Sequence, residues 1–451
     1  MEITAAVVRE KFGAFTIDRL ELTDPRPDEA LVRIVASGMC QTDLHGRDGY
    51  YNTPYPAVYG HEGAGVVQAV GTSVTKFVPG DHVVISFPWC GACPNCRRNM
   101  QSHCMKGLDL KMRGTRADGS TLMRKGGAPV YSAFFQQSSF ATHAIANERY
   151  MVKVRKDAPL ELLGPFACSG QTGAGAVLNS MQPGAGDSFA VFGVGAVGLS
   201  GLMAAKIAGC DPIIAIDVHD DRLTLARALG ATHAINHRGR SDVVAEIRRI
   251  TGDGVRFSLE TSAQPAVLRE AVEALIAAGT CVLLGSARSG TEVSFEMPFL
   301  QFGRVVRGVI QGESHPQEFI PRLVDFLMQG KMPVERMMTF YPLAEINRAA
   351  QDSSQGTCPI EPVETAAIGA ACARDNGARP HRLRGPCPPE RQPSRGQARC
   401  GDQSGLEIAG LEFEARQTRR RGEVAAGFCN IIAEATRNQG AIVTSSGMKL
   451  D

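Results

Sequence analysis

Four cysteines, Cys90, Cys93, Cys96 and Cys104, fall within fifteen residues, separated by two, two and seven positions. Four thiolates at that spacing can close a tetrahedral shell around Zn²⁺ with no vacant position, which folds a loop rather than catalysing a reaction. An iron–sulfur cluster is the rival reading of a C-x2-C-x2-C run. The fourth spacing is wrong for one, and no partner cluster follows. Disulfides are disfavoured because the chain reads as a reducing-compartment protein.

A second constellation is Gly193-Val-Gly195-Ala-Val197-Gly198, which follows an apolar run and opens a helical one. Gly193 permits a tight turn, Gly195 lets a pyrophosphate approach the backbone, and Gly198 lets helix and strand pack closely. The helix N-terminus attracts phosphate charge. Asp217 ends the next apolar run nineteen residues after Gly198, where its carboxylate can accept hydrogen bonds from a ribose. A carboxylate there repels a 2′-phosphate, so NAD is favoured over NADP. The rival is a glycine-rich turn without a ligand. Arg222 reads either as a cover for the ribose or adenine or as an exposed helix arginine.

Cys40, His61 and Cys168 form a third set, each beside small or polar residues. Two thiolates and an imidazole leave the fourth position of a zinc ion open to water or substrate. Taken singly, Cys40 and Cys168 read more readily as small buried apolar residues, and His61 can be read as a satisfied core histidine.

The surrounding sequence suggests what positions these groups. Ala30–Ala36, Gly65–Gly71 and Asp81–Ser86 alternate as β segments, with a Pro-Gly turn over Val78–Asp81, and an antiparallel β-rich domain is expected. From Ser188 the pattern becomes strand–helix alternation. Strands are expected at Ser188–Phe192, Pro212–Asp217, Arg256–Glu260 and Thr280–Leu284; helices at Ala196–Ala208, Asp220–Leu229 and Pro265–Ala278. Such alternation points to a doubly wound parallel sheet, hence an α/β chain with a β-rich partner domain. Further helices are expected at Phe319–Gln329 and Leu343–Ala350.

At these residues the chain resembles the zinc-dependent alcohol dehydrogenases of the medium-chain dehydrogenase/reductase family. The run Gly60-His61-Glu62-Gly63-Ala64-Gly65, with Gly71 and Val74, fits the family's zinc signature. The Cys40 segment, the four-cysteine lobe, Cys168 and the nucleotide fingerprint follow in the family's order, over residues 1 to about 363. The resemblance implies a GroES-like catalytic domain over 1–169, with a zinc lobe at 90–104. It places an NAD-binding Rossmann domain at 170–305 and a return to the catalytic domain at 306–363. It implies two Zn²⁺ per subunit: a catalytic ion on Cys40, His61 and Cys168, with Glu62 beside it, and a structural ion on the four-cysteine lobe. Thr42 and His45 match the family's proton relay, and Thr172 a nicotinamide contact.

Among family branches, the resemblance is to aryl-alcohol (benzyl alcohol) dehydrogenases, which oxidise benzylic and allylic primary alcohols to aldehydes. The glutathione-dependent formaldehyde branch carries an arginine where this chain has Leu108. Phe87, Trp89 and Leu108 suggest an apolar substrate channel, with packing of the lobe as the rival reading. A non-catalytic zinc- and NAD-binding protein is the alternative of a different class. The long segment from Lys106 to Ser138 resembles that of dimeric members and favours a homodimer, with a homotetramer the other option.

The net charge of +2 predicts no nucleic-acid or membrane partner, and no run of eighteen apolar residues spans a bilayer. With no signal-peptide pattern, a cytoplasmic location is expected. Two features depart from the family. Glu361 stands where members carry a basic residue near the pyrophosphate. Residues 364–451 have no family counterpart, holding twelve arginines to one lysine, and read as a low-order tail.

Overall fold

The computed structural model describes residues 1–355 and the backbone of strand Glu361–Glu364; it contains three sheets. The tail expected over 364–451 lies outside the described residues, apart from the backbone of Glu364, as does the side chain of Glu361.

Two sheets belong to the β-rich part. In one, Glu29–Met39 runs antiparallel to Glu62–Val70, to His143–Asn147 and to Glu361–Glu364. Ala30, Val32, Ile34 and Ala36 are buried, as a period-two strand facing a core requires. The pairing shifts register near Ile34 and ends with Gly38 opposite Glu62. That register sets the exit of one strand, at Cys40, beside the entry of the other, at His61. Gly38 permits the approach, because a Cβ there would lie 2.0 Å from Glu62 Oε2. The other sheet carries Glu2–Val8 between Phe15–Leu22 and Ala57–Val58.

The third sheet has six parallel strands, in the order His233–Asn236, Ile213–Asp217, Phe189–Phe192, Val255–Glu260, Leu275–Leu283, Val305–Gly308. In chain order this is 3-2-1-4-5-6, the doubly wound arrangement whose crevice opens where the order reverses. Phe189–Phe192 shows why it is apolar throughout: Phe189 and Val191 enter one core, with Leu199 and Leu202, and Ala190 and Phe192 another, with Val243 and Ile247. A parallel strand covered by helices on both faces has no polar side.

The expected helices Ala196–Ala208 and Asp220–Leu229 form over those residues. The expected helix Pro265–Ala278 does not; it ends at Glu273, and Leu275–Leu283 is strand. Ala274–Ala278 are good helix formers. However, Leu275 pairs with Val255, and Ala278 takes φ +57°, so sheet pairing overrides local propensity. The later helices lie at Pro316–Met328 and Ile346–Gln355, the second preceded by a tight turn at Leu343–Glu345. Among the described residues no helix is long and apolar enough to cross a membrane.

Candidate active site

Cys40 leaves its strand and opens the short helix Gln41–Arg47. The third helical residue, Asp43, turns back. Its Oδ2 accepts the Cys40 N–H at 3.0 Å, and its Oδ1 accepts the Gly60 N–H at 2.9 Å and lies 2.9 Å from His61 Nδ1. Cys168 arrives from the far side, immediately before helix Ser169–Gly175. One donor atom each from Cys40, His61, Glu62 and Cys168 falls within 4.8 Å of the others. Glu62 Oε1 accepts the Ser169 N–H at 2.9 Å, which ties the strand that follows His61 to the helix behind Cys168.

Burial sets the electrostatics. The hydrogen bond from Cys168 pulls the Cys40 thiol well below its ordinary range, against the opposing effect of burial. The same bond, with burial, drives Cys168 well above it. Burial opposes a charge on His61, but Asp43 and Cys40 outweigh it and hold the imidazole well above its usual value. Burial pushes Glu62 up to about 8, and the Cys40 charge adds to this.

The donor set fits a metal ion. His61 Nε2 is fully buried without a hydrogen-bond partner, while Asp43 engages the opposite ring nitrogen. An orphaned buried nitrogen is costly unless something ligates it. Phe135 covers the ring, with centroids 4.3 Å apart. Gln137, buried below, accepts the Gly63 N–H and donates to the His61 and Ile85 carbonyls.

Cys90, Cys93, Cys96 and Cys104 likewise place their sulfurs within 4.8 Å of one another. Backbone N–H groups point into the cluster: Cys93 N to Cys90 Sγ and Cys90 N to Cys104 Sγ, both at 3.3 Å. The N–H groups of Cys96 and Met105 pull Cys93 down to about 6. Amide donors aimed at Cys90, Cys93 and Cys104 favour thiolates, the form a metal needs, while burial pushes Cys96 and Cys104 up. All eight cysteines of the described region are free thiols.

A cleft of about 450 Å³ starts at Cys40 and Ser169 and runs along the carboxyl ends of the parallel strands. Gly193, Gly195, Val197, Asp217 and Arg222 line it. Gly193 takes φ +91°, and a Cβ on Gly198 would lie 1.9 Å from the Gly193 carbonyl, so Gly198 is packed under the turn rather than on the wall. A Cβ on Gly195 would meet nothing within 4 Å, so the space above it is open to a ligand. Asp217 accepts the Val194 N–H at 2.8 Å, and those of Val218 and His219, so it braces the glycine turn as well as facing the cleft. These features fit a dinucleotide. Thr172 sits one turn after Cys168, half-buried, and is not among the lining residues.

Thr42 Oγ1 lies 3.7 Å from Cys40 Sγ, and His45 stacks on Tyr50. Phe87 and Trp89 do not frame an open channel with Leu108. They are 1% and 7% exposed and pack in one core with Cys96 and Cys104, whereas Leu108 is 69% exposed. The helix Gly107–Met112 buries Leu110 and Lys111 and so turns Leu108 outward. Sequence reasoning missed Asp43, Gln137, Phe135 and Lys111. Only Asp43 had a local signal, a carboxylate three residues after a helix-opening Cys40.

Two ligand clusters, one with thiolates and an imidazole beside a dinucleotide cleft, define a zinc-dependent dehydrogenase. Two family models agree: one described as zinc-binding dehydrogenase matches residues 196–329, and one described as alcohol dehydrogenase GroES-like domain matches 26–156. The chain is 42% identical over 361 residues to the geraniol dehydrogenase of Castellaniella defragrans, covering 80% of this chain and 96% of that one. Among solved structures, it is similar to an alcohol dehydrogenase zinc-binding domain protein from Burkholderia ambifaria (TM-score 0.79, 48% identity). The benzyl alcohol dehydrogenase of Acinetobacter calcoaceticus is also similar (TM-score 0.78, 42% identity). Each match covers 81% of this chain and 99% of the other. The chain belongs to the zinc-dependent alcohol dehydrogenases of the medium-chain family.

Proposed function

We propose that this oxidoreductase catalyses reversible hydride transfer between NAD and an aryl or allylic primary alcohol, giving the aldehyde. The observation that carries the proposal is the buried, unpartnered His61 Nε2 converging with Cys40 and Cys168 at the mouth of the nucleotide cleft. When bound, zinc supplies Lewis acidity toward the alcohol hydroxyl, and NAD supplies the hydride acceptor. Cys40, His61 and Cys168 hold the catalytic ion, Glu62 stands beside it, and the four-cysteine lobe holds a second, so each chain carries two. The Thr42 hydroxyl accepts the alcohol proton and passes it on toward His45, which exchanges it with solvent. Gly193, Gly195 and Val197 cradle the pyrophosphate, Asp217 selects a free ribose, and Arg222 covers it.

Two relatives at 42% identity support the substrate class: one is named for geraniol, an allylic alcohol, and one for benzyl alcohol. Domain limits at 169, 305 and 363 belong to the same proposal. So does a homodimer. Strand Val305–Gly308 ends its sheet, and Met297, Phe302, Val305 and Ile310 are exposed around it, an edge that a second copy can cover. Eight free thiols in the described region suit a reducing cytoplasm.

The test is a panel of alcohols with zinc-loaded protein. Benzyl alcohol and geraniol are expected to exceed ethanol by at least about tenfold in kcat/KM. Equal use of ethanol contradicts the substrate class.

A further inference from the structure

Arg288 lies in the loop after strand Leu275–Leu283 and reaches the segment that follows helix Gln41–Arg47. Three side chains stack there. The Tyr50 ring lies on the His45 imidazole, with centroids 4.1 Å apart and planes 4° apart. The guanidinium carbon of Arg288 sits 4.4 Å from the centre of the same Tyr50 ring. Tyr50 thus carries both the imidazole of His45 and the guanidinium of Arg288 over its ring. Tyr51 closes the edge of the imidazole, its ring 6.4 Å away at 64°.

We propose that Arg288 is a positioning residue for proton transfer: its guanidinium clamps Tyr50 flat against His45 and so fixes the imidazole in one orientation. This rests on the reading of His45 as the end of the proton relay. A planar cation over an aromatic face is attractive, and arginine can stack in a way that lysine cannot. The clamp joins two parts of the chain that meet at the cleft, since His45 follows the Cys40 strand and Arg288 follows a strand of the parallel sheet.

The charged groups around His45 agree with the geometry. Burial lowers its pKa, Cys40 and Asp48 oppose that, and Arg288 adds to the lowering. Tyr50 and Tyr51 are the other titratable groups against the ring. The result is an imidazole kept neutral near pH 7, the form that can accept a proton.

The test follows the His45 ring protons by NMR in the zinc-loaded full chain, assigned by their loss in His45→Gln. A proton held over an aromatic face resonates upfield. Arg288→Gln is expected to reduce that upfield displacement and to raise the His45 midpoint. Tyr50→Phe should keep both features, and Tyr50→Leu should lose the displacement. The ascending limb of kcat/KM against pH should move up in Arg288→Gln, with Arg288→Lys between it and the wild type. If Arg288→Gln leaves both displacement and midpoint at their wild-type values, the clamp is refuted. If His45 responds as described but no alcohol is oxidised, the relay reading fails instead.

Discussion

Asp43 holds two members of the candidate metal cluster with one carboxylate: Oδ1 lies 2.9 Å from His61 Nδ1, and Oδ2 accepts the Cys40 N–H at 3.0 Å. Both side chains of the Asp43–His61 pair are fully buried. An Nδ1–H donated to Asp43 leaves the Nε2 lone pair free to ligate. Asp43→Asn should therefore lower zinc affinity at this cluster by about 10–100-fold, as loss of a ligand-orienting carboxylate generally does. Competition with a chelating dye measures this. Unchanged affinity would show that Asp43 serves the fold alone.

The four-cysteine lobe should behave as a separate structural site. Cys96→Ser is expected to reduce bound zinc from two ions per chain to about one and to lower the unfolding temperature. Metal analysis of the purified variant decides the first point. Two ions retained would refute the assignment of the lobe.

Asp217 both lines the cleft and accepts the Val194 N–H. Asp217→Asn removes the charge but keeps an acceptor. NAD should bind about tenfold more weakly, roughly 1.4 kcal/mol, and the preference for NAD over NADP should shrink. Comparison of kcat/KM for the two cofactors reads this, and an unchanged ratio contradicts the role.

Lys111 is only 8% exposed, its ammonium 5.4 Å from the Phe87 ring centre and 5.7 Å from that of Phe135. Burial pushes it down from 10.5 to about 8. Below about pH 8 the ammonium is charged in both folded and unfolded chains, and the folded one carries the full desolvation cost. That cost fades as pH rises from about 8 toward 10.5, so the contribution of Lys111 to stability improves over that window. Lys111→Met should stabilise the protein at pH 7 by about 1–3 kcal/mol and flatten this dependence. Denaturant unfolding at several pH values measures both. A less stable variant would mean that the cation compensates the thiolates of Cys168 and Cys104.

Much of this was readable in the sequence because it is local. The cysteine spacing in the lobe, the glycine run before a helical stretch, and the acidic end of Ile213–Asp217 all lie within short windows. Asp43 was partly local, as a helix-cap carboxylate, but its bond to His61 depends on the Gly38–Glu62 register. Gln137, Phe135 and Arg288 were unreadable because each reaches the site across long stretches of chain. The length of the helix from Pro265 was misread for the opposite reason: local propensity there is strong, and pairing with Val255 defeats it. Phe87 and Trp89 looked like channel residues because apolar character alone cannot separate a cavity wall from a packed core.

The central claim is that the cluster of Cys40, His61 and Cys168 beside the nucleotide cleft oxidises an alcohol with NAD. The most direct measurement is the initial rate of NADH formation from benzyl alcohol by the full-length chain, metal-free and then reloaded with zinc. NADH should form only after zinc is restored. If the reloaded protein holds zinc on both clusters and forms no NADH from benzyl alcohol, geraniol or ethanol, the account is wrong, and the chain binds zinc and nucleotide without turnover.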